Sequence, residues 1–443
     1  MLAHFALALA LPSSLFAIPT LRGAQVAIYA VSADTGAEIY ALDPDAAMVP
    51  ASNLKLVVGS AALDLLGPAF AFTTTIAANG STLYVRSDGD PLLERSDFTE
   101  AARAVAQSGR NAYTTLDGDT SAIVNATRYP DGWQQDDLPN DYAAPPSALS
   151  FGENAVQVHV APGPAAGDPA SITVSPAQTT LAVRDDATTG AQRSDDTIEP
   201  VLVWQTPGTI AISGSIPAGG APDDFGVSVL DAPAFALANL AQALTAAGVT
   251  TTGTAYGVTP PAAQVLWTHR SQPLPALLGA MWKPSDNLLA ESLLDALAGS
   301  RDAGLAKERA WLQSIGVDPA TVTLADGSGL SAYDRITARD LVTILQHDWN
   351  GPNRAGVLAA LPVAGESGTL QDAFAGTPLA GNVIAKTGTV NHTRTLSGYL
   401  QTPHGTIVFS LLVNGWMDTT AQAEAHMRDF QASVLEALAN ERS

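Results

Sequence analysis

Cysteine is absent from this 443-residue chain. That removes disulfides, zinc–cysteinate sites and cysteine nucleophiles together, and it is compatible with an oxidising compartment and with the cytosol alike. Basic residues are scarce: 21 Lys and Arg face 43 Asp and Glu, a formal charge of −22. Nucleic acid and anionic membrane surfaces would be repelled by such a chain. After the N-terminus no stretch approaches the ~18–20 uninterrupted apolar residues of a membrane-spanning helix, so no stable span is expected. The seven histidines lack metal-ligand spacing and form no His-Glu-x-x-His, so no metal and no cofactor is expected. A Gly-x-Ser-x-Gly elbow is missing too, which argues against an α/β-hydrolase triad.

What is present is ample core material, with 46% hydrophobic residues in periodic runs. The first 17 residues, MLAHFALALALPSSLFA, are apolar, break at Pro12 and end in small residues near Ala17. They resemble a secretory signal without a Lys or Arg in its first part, and predict an extracytoplasmic protein. Gln25 to Asp43 reads as two strands turning at Asp34-Thr35-Gly36, and ASNLKLVVGSAALDLLGP as a helix stopped at Gly67-Pro68. From about residue 76 to 262, short strand-like runs alternate with Gly, Pro and Asp clusters and charged loops such as RDDATTGAQRSDD. One helix, APAFALANLAQALTAAG, interrupts them. Helices return after residue 263. VIAKTGTV, TRTLSGYLQT and TIVFSLLVNG then read as three strands, the last two pairing antiparallel, before a closing helix near 420–440. The expected class is α+β: an antiparallel sheet flanked by helices, built from residues 18–75 and 263–443 and interrupted by a β-rich insertion at 76–262.

Only four lysines occur, at positions 55, 283, 307 and 386. Lys55 follows Ser52 by three places, in PASNLKL. On a helical turn, side chains three apart share a face, so the ammonium can reach the hydroxyl. A serine hydroxyl needs such a neighbouring base to be nucleophilic, and a lysine serves only if burial or another cation depresses its pKa. Alone, Ser-x-x-Lys is a weak signal that more often marks a solvated helix start. Lys386 stands in Lys-Thr-Gly-Thr on a predicted strand. Thr387 and Thr389 would share one face there, Gly388 would leave room for a ligand backbone, and the lysine would offer charge to a carboxylate. Between the two lies KPSDNLLAE, whose Ser285-Asp286-Asn287 alone would read as a helix cap.

Taken in order, Ser-x-x-Lys, Ser-x-Asn and Lys-Thr-Gly form a set known from penicillin-binding proteins and class A β-lactamases. Ser52 and Ser285 stand 233 positions apart, too far for a compact β-lactamase. The chain resembles the low-molecular-mass class C penicillin-binding proteins, the D-alanyl-D-alanine carboxypeptidases/endopeptidases of the penicillin-binding protein 4 type. The likeness also covers SDGDPLL, YPDGWQQDD, PPSALSFGENAV and LADGSGLSAYDRITARDLV. DGSGL, which could suggest a phosphate loop, lacks the Lys-Ser/Thr that would follow.

The resemblance implies Ser52 as acylated nucleophile, Lys55 as its base, Ser285 as proton relay, Asn287 as holder of substrate and Lys55, and Lys386 as electrostatic tuner. It further implies Thr387, Gly388 and Thr389 as substrate contacts, with Thr387 and Thr389 receiving the terminal carboxylate. Backbone N–H groups of Ser52 and Thr389 would form the oxyanion hole, and Asp136 would meet the stem's diamino-acid side chain. Peptidoglycan stem peptides would be substrates and β-lactams covalent inhibitors. A β-lactamase or esterase on the same fold, and a non-catalytic cell-wall-binding protein, stay open as alternatives. Oligomeric state is not legible.

Overall fold

A computed structural model of the chain describes residues 11–177, 180–203, 205–206, 208–417 and 421–440. Trp204 and the first ten residues of the expected signal lie outside them. The chain divides into two compact units, one of residues 1–70, 130–132 and 273–443, the other of 71–129 and 133–272. Elements are numbered along the chain.

The first unit is organised on a five-stranded sheet in the order β16-β17-β18-β1-β2, antiparallel throughout. Its strands are β1 (Gln25–Ser32), β2 (Glu38–Leu42), β16 (Val383–Val390), β17 (Thr393–Thr402) and β18 (Gly405–Asn414). Side chains alternate across a strand, and the alternation sorts β18 cleanly. Ile407, Phe409, Leu411 and Val413 pack with Met427, Phe430 and Val434 of α9 (Ala421–Ala439). Its other face packs with α7 (Ala338–Asn350), as the adjacent Tyr399 shows by donating its hydroxyl to Leu345 O at 2.8 Å. Both faces are covered, so β18 reads as a continuous apolar run rather than an alternating one. From Leu11 onward the chain belongs to this core: Leu11 is buried and Phe16 meets Phe430 edge-on at 5.7 Å.

Around α1 (Lys55–Leu65) gather α4 (Leu274–Trp282), α5 (Asn287–Ala296) and α6 (Arg301–Ser314), with α8 (Arg354–Ala360) beside α4. Residues 130–132 join this unit through the loop after α6: Ala332 N–H donates to Gly132 O at 3.1 Å and Ser331 Oγ to Asp131 O at 2.7 Å. No helix among the described residues is long and apolar enough to cross a membrane.

The second unit holds β3 (Thr73–Asn79), β4 (Thr82–Ser87), α2 (Arg95–Gln107), β5 (Ala112–Tyr113), β6 (Thr115–Asp119), β7 (Ala155–Ala161) and β8 (Ser171–Ser175). It continues with β9 (Ala182–Gly190), β10 (Glu199–Leu202), β11 (Thr209–Pro217), β12 (Asp223–Ser228), α3 (Ala232–Ala246), β13 (Thr250–Thr251), β14 (Thr254–Tyr256) and β15 (Gln264–Arg270). They form sheets β14-β6-β4-β3-β15, β12-β7-β8, β10-β11-β9 and β13-β5. Phe98 of α2 stacks on Phe151 at 4.8 Å, and Phe151 meets Phe235 of α3 at 5.6 Å.

Three features differ from the sequence expectation. The unit runs from 71 to 272 rather than 76 to 262, because β3 and β15 pair with each other and close it. A second helix, α2, is present. Arg184 to Gly190 is no loop but part of β9, paired parallel with β11. In SDGDPLL, Asp88 accepts from Thr73 N at 2.7 Å and Asp90 from Leu92 N at 3.1 Å, so this block ties the chain together locally.

Candidate active site

The segment before α1 does not begin as an α-helix. Ala51–Leu54 is a tight 3-10 turn, with Ala51 at φ 48°. A left-handed φ on a residue with a Cβ is strained and persists only when its surroundings enforce it. Here the enforcement is visible. Asn414, at the end of β18, clamps Val49 with Oδ1 at 2.8 Å from its N and Nδ2 at 3.1 Å from its O. Thr395 Oγ1 donates to Pro50 O at 2.8 Å, and Asn53 Nδ2 to Lys386 O at 3.0 Å. The turn is thereby pinned to β16, β17 and β18, and it presents Ser52.

Lys55 Nζ stands 3.0 Å from Ser52 Oγ. It also donates to Asn287 Oδ1 at 2.5 Å and to the carbonyl of Ser328 at 2.7 Å. Lys386 Nζ donates to Ser285 Oγ at 2.9 Å and to Thr387 O at 2.9 Å. Ser285 has φ 69°, the second strained residue of the site, and Asp286 caps α5 by accepting from Leu289 N at 2.8 Å. The cap expected from the sequence is therefore real, and it is the device that delivers Ser285 and Asn287. Ser52, Lys55, Ser285, Asn287 and Lys386 come together from three distant stretches of chain.

Both lysines are wholly buried. Burial pushes Lys55 down from the usual lysine range to about 8, against the opposing pull of Asp326, Asp286 and Glu291. Burial, and then the charge of Lys55, drive Lys386 well below its ordinary value. A lysine near 8 is a workable base at neutral to mildly alkaline pH.

On β16 the N–H of Ala385 donates to Pro362 O, away from β17. By the two-residue period, the N–H groups of Thr387 and Thr389 face that same edge. Thr387 Oγ1 lies 2.7 Å from Thr369 Oγ1, and Arg394, directly across from Thr389 on β17, donates Nη1 to Thr389 Oγ1 at 3.2 Å. Gly388 differs from expectation. A Cβ there would collide with Thr395 Oγ1, Pro50 O and the backbone N of Ser52, so the space beside it is filled by the nucleophile turn rather than left for a ligand. Asp136 is a residue of the second unit, exposed in the turn after Trp133. Among the described residues no group of three His, Asp or Glu could hold a metal ion.

Sequence reasoning missed the Ser328 carbonyl, Arg394 and Trp282. Trp282 Nε1 donates to the backbone carbonyl of Lys55 at 2.9 Å. DGSGL supplies the Ser328 carbonyl that meets Lys55 and packs against the nucleophile turn. Its Gly329, at φ 80°, passes so close to Ala51 O that a Cβ would overlap it.

Comparison with known proteins gives concordant results. The family model described as D-Ala-D-Ala carboxypeptidase 3 (S13) matches residues 7–435. The chain is 36% identical over 433 residues to the D-alanyl-D-alanine carboxypeptidase of Actinomadura sp. (strain R39), covering 90% of this chain and 79% of that one. It is 27% identical to the D-alanyl-D-alanine carboxypeptidase DacB of Haemophilus influenzae over 389 residues, 83% of this chain and 81% of the relative. The crystal structure of penicillin binding protein 4 from Haemophilus influenzae matches with a TM-score of 0.88 at 25% identity, over 97% of this chain and 99% of the other.

Proposed function

Because this chain belongs to the D-Ala-D-Ala carboxypeptidase 3 (S13) family, and is thus a serine peptidase, we propose that Ser52 is its acylated nucleophile. The observation that carries this is the 3.0 Å approach of Lys55 Nζ to Ser52 Oγ, with the lysine buried and held near 8. Neutral Lys55 takes the hydroxyl proton as Ser52 Oγ attacks the carbonyl of the penultimate D-Ala of a peptidoglycan stem peptide. The N–H groups of Ser52 and Thr389 hold the developing oxyanion, a contribution of about 2.7–4 kcal/mol per donor. The leaving D-Ala amine receives its proton by way of Ser285, whose hydroxyl Lys386 orients. Water then cleaves the ester and returns Ser52 to its free form.

Asn287 fixes Lys55 and is aligned to bind the substrate amide. Thr387 and Thr389 accept the terminal carboxylate, and Arg394 adds positive charge beside Thr389. Gly388 contributes to binding by letting β16 lie close to the nucleophile turn. Asp136 is assigned, on the family resemblance, to the diamino-acid side chain of the stem. The unit carrying the motifs is the transpeptidase-like catalytic domain, and the chain works outside the cytoplasm, where its substrate polymer is assembled. β-Lactams mimic the scissile carbonyl and stop the cycle at the ester.

Incubation with benzylpenicillin tests the reading. Intact-mass spectrometry should show one added drug mass, mapped to the Ser52 peptide and lost in Ser52→Ala. Absence of an adduct on folded wild-type protein would overturn it. Product analysis of digested muropeptides reads terminal trimming and cross-link cutting separately.

A further inference from the structure

Lys55 has three acceptors within hydrogen-bond reach: Ser52 Oγ, Asn287 Oδ1 and the carbonyl oxygen of Ser328. A protonated lysine has three N–H bonds and can satisfy all of them. A neutral lysine has two N–H bonds and one lone pair. The two carbonyl oxygens can only accept, whereas a hydroxyl can donate. If both carbonyl oxygens stay in place, the two remaining N–H bonds go to them and the lone pair is left facing the hydroxyl of Ser52. The direction of the base is therefore set by Asn287 and by Ser328 O.

Asn287 is held as the first residue of α5, but Ser328 O belongs to a loop backbone. That loop is fixed by Glu291, on the same helix one turn after Asn287. Glu291 Oε1 accepts from Gly327 N at 3.0 Å and from Ser328 N at 2.8 Å, and the side chain is buried. Asp326 secures the other side of the loop, accepting from Gly329 N at 2.7 Å and Ser331 N at 2.8 Å. Gly327 rests directly on α5, where a Cβ would press against Ala290 O.

We infer that Glu291 is a positioning residue for the acylation step, gripping the 327–328 amides so that Ser328 O turns the lone pair of Lys55 toward Ser52. This rests on the reading of Ser52 and Lys55 given above. The grip needs an acceptor oxygen at the right reach, not a negative charge. Burial and the neighbouring Asp326 push Glu291 upward, which favours the neutral acid and makes an amide a close substitute.

Two conservative variants separate reach from charge. Glu291→Gln keeps the oxygen and removes the ionisable group; Glu291→Asp keeps the ionisable group and withdraws it by one methylene. The second-order rate of acylation by a fluorescent penicillin is measured per titrated site in folded full-length protein, with Ser52→Ala as blank. The expected result is Glu291→Gln within about threefold of wild type and Glu291→Asp slower by about tenfold or more. Equal rates for Glu291→Asp and wild type, or a loss in Glu291→Gln as large as in Glu291→Asp, would overturn the inference. A purely structural residue would lower the melting temperature of Glu291→Asp and leave the rate per titrated site unchanged, which also overturns it. Failure of wild type to label at Ser52 would instead sink the catalytic reading itself.

Discussion

Trp282 occupies the space that a side chain on Gly59 would need. A Cβ built on Gly59 would lie under 3.0 Å from two atoms of the indole ring, while the same indole donates its N–H to the carbonyl of Lys55. In an exposed helix interior, Gly→Ala gains roughly 0.5–1 kcal/mol. Here the gain is outweighed, because the ring is fully buried and overpacking costs about 1–3 kcal/mol. Gly59→Ala is expected to lower the melting temperature and to slow labelling by penicillin, since the ring can move only by releasing Lys55. Thermal unfolding checks the sign; a more stable variant would refute it.

The ionisation of Lys55 sets the pH dependence of acylation. A base must be neutral, so the rate constant should rise about tenfold per pH unit below about 8 and level off above it. Stopped-flow acylation from pH 6 to 9.5 measures this limb. Lys55→Arg keeps the charge but cannot lose its proton. On the plateau above pH 8 it should cost roughly a thousandfold, within the range for removal of a general base, and the gap should narrow at lower pH as the wild type loses its neutral base.

Asp348 predicts a stability effect away from the chemistry. It is buried, accepts from Ser60 Oγ at 2.6 Å, and is pushed up to about 7 by burial, with His347 drawing it down and Asp64 adding to the rise. A carboxyl whose folded pKa exceeds its unfolded value binds its proton more tightly when folded. Its stabilising contribution is complete below about pH 4 and is lost as the pH climbs to about 7. Asp348→Asn keeps the acceptor for Ser60 and has no proton to lose. The variant should melt several degrees above wild type at pH 8, with the gap closing at pH 4.5, as calorimetry at the two pH values would show.

Arg394 predicts a substrate preference. A charge-assisted contact contributes about 1.5–3 kcal/mol, so Arg394→Gln should lower kcat/KM for a peptide with a free terminal carboxylate by about ten- to a hundredfold. The same peptide carrying a terminal amide should lose far less. Equal losses on both peptides would show that Arg394 serves the fold and not the carboxylate.

The three motifs were legible because their chemistry demands particular side chains at fixed spacings, and the structure sets Lys55 within hydrogen-bond reach of Ser52 and Asn287, and Lys386 within reach of Ser285. The groups that aim them were not. A backbone carbonyl such as Ser328 O leaves no trace in residue type. Arg394 reaches Thr389 only through the β16–β17 register, which depends on a turn at Asn391-His392. The helix α2 carried a readable signal, Phe98, Ala101, Ala102 and Val105 at helical spacing, within otherwise polar surroundings. The strand β9 did not, since Arg184 and Asp186 point to solvent and pair with each other at 2.6 Å.

The pairing of β1 with β18 has a temporal consequence. Asn414, which clamps the turn bearing Ser52, leaves the ribosome or a translocation channel 365 residues after its partner Val49. A nascent molecule can therefore assemble the 71–272 unit early, yet it stays hydrolytically silent until β18 has been delivered. A chain cut between residues 390 and 413 should keep every signature motif and have no working nucleophile.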